Sequence, residues 1–252
     1  MPLPASHPEL KRRFDLQRLR ANIVIAAAAL FVALTTVAMA VYPGGAPYDV
    51  VARHYLFLGN YLSDLGATRT YSGRPNAGSR VLFTIALVAV GASLALFGPV
   101  WRAWQTRDRG ALLGGAATAC ALLGGCFFVA AAFTPYDRDY NTHTALVRAA
   151  FGLVFAFVAC LTAIQIRNFA PRTWIGANVI FLIALVAYIW IDVEGPSIYA
   201  PDGLRIQVGA QKAIVYLTVA NLGAQAWAVR SRRRDRHEYG LGSPLKSAPT
   251  RR

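Results

Sequence analysis

The stretch Ala21-Asn22-Ile23-Val24-Ile25-Ala26-Ala27-Ala28-Ala29-Leu30-Phe31-Val32-Ala33-Leu34-Thr35-Thr36-Val37-Ala38-Met39-Ala40-Val41-Tyr42 decides the fold class. It carries no charged side chain, and as a helix rising 1.5 Å per residue it is roughly 33 Å long, enough to cross a hydrocarbon core of about 30 Å. A lone strand there would leave its backbone N–H and C=O groups unpaired in lipid, so a transmembrane helix is the element expected. A basic leader with Lys11, Arg12, Arg13, Arg18 and Arg20 precedes it. Leader, apolar run and Ala38-Met39-Ala40 together resemble a cleavable signal peptide. The run is longer than a usual signal core and the leader is long too, so we read an intact first helix.

Five more apolar runs follow, at about residues 81–101, 111–133, 144–166, 174–191 and 211–229. They leave no segment long enough for a separate soluble domain. The expected architecture is all-α: a polytopic bundle of about six transmembrane helices over residues 21–229, with a structured outward loop after the first. A basic leader (1–20) and a basic, disordered tail (230–252) flank it. With 56% hydrophobic and 15% charged residues, the chain has too little charge to cover a soluble surface of this size. The formal charge of +14 would suggest nucleic acid in a soluble protein. Here Lys and Arg gather in the leader, the 101–110 and 167–173 loops and the tail from Arg230, as the positive-inside rule requires of cytoplasmic segments. The sequence therefore places both termini in the cytoplasm of a multi-pass cell-membrane protein, with membrane lipids rather than nucleic acid as partners. A protein partner or a second copy is the other occupant considered. No cofactor motif is present, and Cys120, Cys126 and Cys160 lie within apolar runs as packing residues. The third run is rich in glycine and alanine, which suits close helix contact and a central place in the bundle. No internal repeat is evident, which weakens an inverted-repeat transporter.

The outward side differs in kind. Its first loop contains His54, Asn60-Tyr61-Leu62-Ser63-Asp64-Leu65-Gly66, Arg69 and Ser72-Gly73-Arg74-Pro75-Asn76. Aromatic residues mixed with spaced polar ones suggest a short amphipathic helix with Asn60, Ser63 and Asp64 on one face. A second loop carries Asp137, Asp139, Asn141, Thr142, His143 and Thr144, and a third Asp192, Glu194 and Asp202. Arg148 and Lys212 sit near the outer ends of their spans, able to snorkel or to turn inward. His54, His143, Asp137 and Asp192 have the ligand types of a zinc site, without a compact ligand motif. Ser63, Asp64 and His143 (or His54) have the types of a nucleophile, orienting acid and base, without a nucleophile elbow. Against these stands a structural reading, in which Ser63 and Asp64 cap a helix or hold the loop to Arg69, Arg74 or Arg148, and Thr142 or Thr144 caps the fourth helix. Asn178 and Asn221, inside spans, are expected to bond between helices.

The order Tyr42-Pro43-Gly44-Gly45, Asn60-x-x-Ser63-Asp64-Leu65-Gly66, Ser72-Gly73-Arg74-Pro75-Asn76, then Pro135, Asp137, Asn141 and His143, resembles the DUF998 family of prokaryotic multi-pass membrane proteins. A Ser-Asp-x-Gly segment after the first helix gives a looser likeness to the FRAG1/DRAM/Sfk1 membrane proteins. The resemblance implies an architecture and no reaction. A weaker analogy runs to the ceramidase and progestin-receptor superfamily of membrane hydrolases, whose paired histidine motif near the last helix is missing here. The leading expectation is a membrane protein that binds a lipid or a partner at a polar outward mouth shaped by Asn60, Ser63, Asp64, Arg69, Asn76, Asp137, Asn141 and His143. An outward-facing hydrolase and a small-solute transporter are the alternatives.

Overall fold

The computed structural model describes residues 8–104 and 111–238. Its helices are α1 (Pro8–Ala40), α2 (Ala77–Phe97), α3 (Ala111–Ala132), α4 (Tyr140–Arg167), α5 (Arg172–Glu194) and α6 (Pro201–Glu238), with 3₁₀ turns at Leu62–Gly66 and Gly98–Ala103. No strand forms among the described residues. Only the isolated bridges Ala46–Asp49 and Arg69–Pro75 occur, both in the loop after α1.

Five helices, α1 to α5, are long and apolar enough to cross a membrane, and the chain is a polytopic helical membrane protein. The sixth expected span is a helix in the predicted place, yet its composition alone does not reach that standard. Lys212, Asn221 and Gln225 interrupt it, and all three are buried, Lys212 under the loop after α1 and the two amides against α4 and α5. A span that turns its polar groups inward and pairs them keeps a lipid-compatible outer face despite low average hydropathy. Outer faces elsewhere are apolar: α5 exposes Ile180, Ile183, Val186 and Trp190, as a lipid-facing helix should.

Each helix packs on its neighbour in the chain, and α6 returns to α1, so the six close into a ring. One end of the ring is cored by Leu94, Phe97, Trp104, Phe157, Leu161 and Phe181. The other is cored by Phe31, Tyr42, Tyr55, Leu65 and Phe83 under the loop after α1. Close approach of α2 and α3 depends on Gly91 and Gly125. A Cβ on Gly91 would lie 2.7 Å from the Gly125 carbonyl oxygen, and one on Gly125 would lie 2.3 Å from that of Gly91. The small residues of α3 thus serve contact, as read from the sequence. They do not place α3 centrally, because it is a wall of the ring with Leu112, Leu122 and Leu123 exposed.

Helix ends depart from the expected boundaries. The leader is already helical from Pro8, and α6 runs to Glu238, beyond the predicted stop at 229. Arginine-rich sequence forms helix readily, so a topogenic charge run need not end one. Residues 1–7, 105–110 and 239–252, which hold the rest of the expected leader, loop and tail, lie outside the described residues. The N-cap of α4 is Asp139, accepting from the Thr142 amide at 3.0 Å, rather than either threonine. Its carboxylate also complements the helix dipole.

α5 buries only Asn178, Phe181 and Leu185, and polar bonds fasten it. Asn221 Nδ2 donates to Asn178 Oδ1 (3.1 Å), Asn178 Nδ2 to Gln165 Oε1 (3.2 Å), Gln165 Nε2 to Gln225 Oε1 (2.7 Å), and Gln225 Nε2 to the Trp174 carbonyl (3.2 Å). This directional chain of amides joins α4, α5 and α6. Towards the other end of α5, Arg148 pairs with Asp192 at 2.9 Å, and Gln207 donates to the Ile191 carbonyl.

Alanine at Gly91 or Gly125 is therefore expected to lower the thermal midpoint of the detergent-purified protein by several degrees, corresponding to roughly 1–3 kcal/mol of overpacking. Alanine at Gly152, where a Cβ meets nothing within 4 Å, should leave it unchanged or slightly raised. Equal effects at all three positions would remove the close-contact argument.

Candidate functional site

Residues 41–76 form a cap over one end of the ring, and it is built from hydrogen bonds rather than regular structure. The turn at Gly44 and Gly45 has φ of +100° and +92°, and a Cβ on Gly44 would lie 2.2 Å from the Ala52 carbonyl oxygen. Only glycine fits this fold-back, which brings the Gly45 carbonyl to the centre of the cap. Asn60, fully buried, reads that centre with every polar side-chain atom. Its Oδ1 accepts from the Leu56 amide, and its Nδ2 donates to the Gly45 carbonyl and to Asp64 Oδ2, each at 3.0 Å. Asp64 Oδ2 also accepts from the Tyr61 amide at 3.0 Å. Asn76, the residue before α2, donates through Nδ2 to the carbonyls of Asp64 (3.3 Å), Leu65 (3.1 Å) and Ala67 (3.0 Å).

α6 enters the same node. Lys212 is buried, donates from Nζ to the Asn60 carbonyl, and lies 5.2 Å from the ring centroids of both Tyr55 and Phe57. The Tyr55 hydroxyl donates to the carbonyls of Asn60 and Tyr61, and Gln211 Oε1 accepts from the Leu62 amide at 2.8 Å. The second loop docks through Asp137, which accepts from the Thr68 amide (2.9 Å), the Thr68 hydroxyl and the Arg69 amide (3.2 Å).

The electrostatics follow from burial. Desolvation pushes the Asp64 carboxyl up to about 6, although bonds from Asn60, Tyr136 and the Tyr61 amide and the nearby Lys212 charge oppose it. Its Oδ1 is buried without a standard hydrogen bond. Tyr42, Tyr61, Tyr71 and Tyr136 are all held in the neutral form, first by burial and then by the Asp64 charge. Burial raises the Asp137 carboxyl, but the Thr68 and Arg69 bonds outweigh it and hold the group below the usual carboxylate range.

Of the residues expected at the mouth, the structure gathers Asn60, Asp64 and Asn76 into one node and joins Arg69 to Asp137. The expected amphipathic helix over 60–64 is replaced by the 3₁₀ turn Leu62–Gly66, which separates Ser63 from Asn60 and Asp64. Arg69 donates to the Gly73 carbonyl and Arg74 to the Pro43 carbonyl, so neither holds Asp64. Asn141 is exposed on the first turn of α4, and His54 is exposed on the cap. His143 is buried, with Nδ1 2.6 Å from the Thr134 carbonyl, tying the start of α4 to the end of α3. No group of three or more His, Cys, Asp or Glu residues among the described residues is arranged to hold a metal, and Asp192 is engaged by Arg148.

Two hollows lie beside the node. An apolar cavity of about 60 Å³ sits inside the ring below the cap, walled by Phe31, Phe83, Leu87, Val147, Phe151 and Val215. Ser63, His143, Gln211 and Thr218 supply its polar lining. Above, a groove of about 390 Å³ is lined by residues 68–71 and 136–138. Tyr136 lines the groove and His143 the cavity, and their rings meet edge to face with centroids 6.4 Å apart. Sequence reading missed Gln211, Tyr136 and Thr68. The adjacent polar pair Gln211-Lys212 in an otherwise apolar run was the available signal for the first. No protein-family model, curated protein or solved structure matches the chain.

Because the Asp64 carboxyl is raised in the folded protein, its contribution to stability is present in full at about pH 4 and is lost as pH rises through about 6. Between those limits it should cost on the order of 3 kcal/mol. Asp64→Asn keeps the shape and removes the titration. The wild-type thermal midpoint should therefore fall relative to that of Asp64→Asn between pH 4 and pH 7. Parallel midpoints across this range would disprove a charged, desolvated Asp64.

Proposed function

We propose that this is a six-span protein of the cell membrane, with both termini cytoplasmic, that binds a lipid through the cavity beneath its outward-facing cap. The observation that carries the reading is the cavity itself: apolar walls inside a closed helix ring, with Ser63, His143 and Gln211 beside the cap. Ligand sites are commonly apolar hollows with a few convergent polar groups. At about 60 Å³ the cavity is below the roughly 150 Å³ of one that admits benzene, so it suits the tip of an extended chain rather than a ring system. Clustering of Lys and Arg at the opposite end of the helices supports the orientation. The order of cap motifs supports kinship with the DUF998 family, which carries no assigned reaction. Partners other than lipid, a protein or a second copy, have no comparable hollow in their favour.

The hydrolase alternative draws on Ser63 and His143 lining one cavity, but no hydrogen bond joins their side chains. A general base needs a free nitrogen within reach of its nucleophile. The transporter alternative draws on the polar groups between α4, α5 and α6. Those amides bond to one another rather than lining an opening.

Val215→Trp should fill the cavity and reduce lipid retained through detergent exchange, counted by native mass spectrometry, by about half or more. Leu112→Trp, on an exposed site, should not. Undiminished retention by a folded Val215→Trp protein would exclude the cavity as the lipid site.

A further inference from the structure

We infer that the groove between residues 68–71 and 136–138 is a phosphate-binding site, and that Arg69 and Arg138 are its ligands. The two side chains are held in place from below: Arg69 Nη1 donates to the Gly73 carbonyl at 2.9 Å, and Arg138 Nε donates to the Thr68 hydroxyl at 3.1 Å. Neither is ion-paired, since the ion pairs among the described residues are Arg148–Asp192 and Arg205–Asp202. The carboxylate in the groove, Asp137, is already occupied by the Thr68 amide and hydroxyl and the Arg69 amide. What faces the groove is thus a net positive charge on two guanidiniums whose remaining N–H donors are uncommitted. Planar guanidinium forks match phosphate oxygens geometrically, and positioning them beforehand lowers the entropic cost of binding. Thr68, Thr70, Tyr71 and Tyr136 also line it. Its volume of about 390 Å³ lies within the usual ligand range and suits a head group.

Depth in the membrane points to the source of the phosphate. Phe133, 69% exposed, and Tyr140, 62% exposed, bracket the loop that carries Arg138. Exposed aromatic residues at the ends of spans lie at the head-group level, which puts the guanidiniums among lipid phosphates. The lipid source rests on the lipid-binding reading above. The phosphate site itself does not, because its ligands belong to the groove and not to the cavity.

The full-length chain purified in a non-phosphorylated detergent is titrated with dioleoylphosphatidylglycerol, with dioleoylglycerol, and with inorganic phosphate, and occupancy is counted by native mass spectrometry. The proposal expects saturable binding of the phospholipid, competed by phosphate, and weakened about tenfold in the double variant Arg69→Gln/Arg138→Gln. The control Arg74→Gln, outside the groove, keeps wild-type affinity. If the double variant fails to fold, the wild-type protein still decides: raising NaCl from about 50 to about 500 mM must weaken phospholipid binding and spare dioleoylglycerol. Phosphate binding that depends on the arginines, without phospholipid binding, keeps the site and rejects the lipid as its source. Equal affinity for dioleoylglycerol and the phospholipid, or undiminished phospholipid binding by the folded double variant, overturns the site while leaving cavity binding standing.

Discussion

The fold turns on a buried polar node at the capped end of the ring, where Asn60 lies between the Asp64 carboxylate and the Lys212 ammonium. Asn60 gives its side-chain amide to Asp64 and its main-chain carbonyl to Lys212. Two opposite charges are thereby held in one desolvated volume without direct ion pairing. Removing either partner would strand the other in a region with little solvent to stabilise it, a loss of several kcal/mol in comparable buried pairs. The node also fixes chain path. Asn60 needs the Gly45 carbonyl, which needs the left-handed turn at Gly44 and Gly45. Asp64 organises the 3₁₀ turn whose carbonyls Asn76 then ties to the start of α2. Lys212 brings α6 to the same point, so the last helix is registered against the loop that follows the first.

That arrangement explains why the polar residues of the cap are poor candidates for chemistry and good ones for architecture. The hydrogen bonds that Asn60, Asp64 and Asn76 make go to backbone and to each other, while Asp64 Oδ1 and Asn76 Oδ1 are buried without one. The groups left for a ligand are different: the lining of the cavity under the turn, and the arginines of the groove above it. The cap lies between an apolar slot and a groove carrying two arginines, and Tyr136 with His143 forms the boundary between the two.

The spans were legible because lipid imposes length and composition directly on sequence: α1 to α5 all lie where long uncharged runs occur. α6 was legible as a run with Asn221 expected to bond between helices, as it does to Asn178. The sequence left Lys212 free to snorkel or turn inward, however, and offered no reading of Gln225. The cap was half legible. Asn60, Asp64, Asn76 and Asp137 stood out as polar residues in suggestive spacing. Their spacing also fitted an amphipathic helix that does not form, because Asn60 and Asp64 meet at the start of the 3₁₀ turn Leu62–Gly66 instead. Bonds between distant segments, such as Thr68 to Asp137 and Leu62 to Gln211, leave no periodic trace. The cavity likewise arises from six separate segments and could not be inferred from any one of them.

The most direct test of the node is a double-mutant cycle with Asp64→Asn and Lys212→Met, read as thermal stability of the detergent-purified protein near pH 7. Each single change leaves one buried charge uncompensated, whereas the double change leaves none. The account predicts that the double variant is more stable than the sum of the single losses implies, by about 1 kcal/mol or more. Strict additivity would mean that the two charges do not sense each other, and the node would no longer explain the fold.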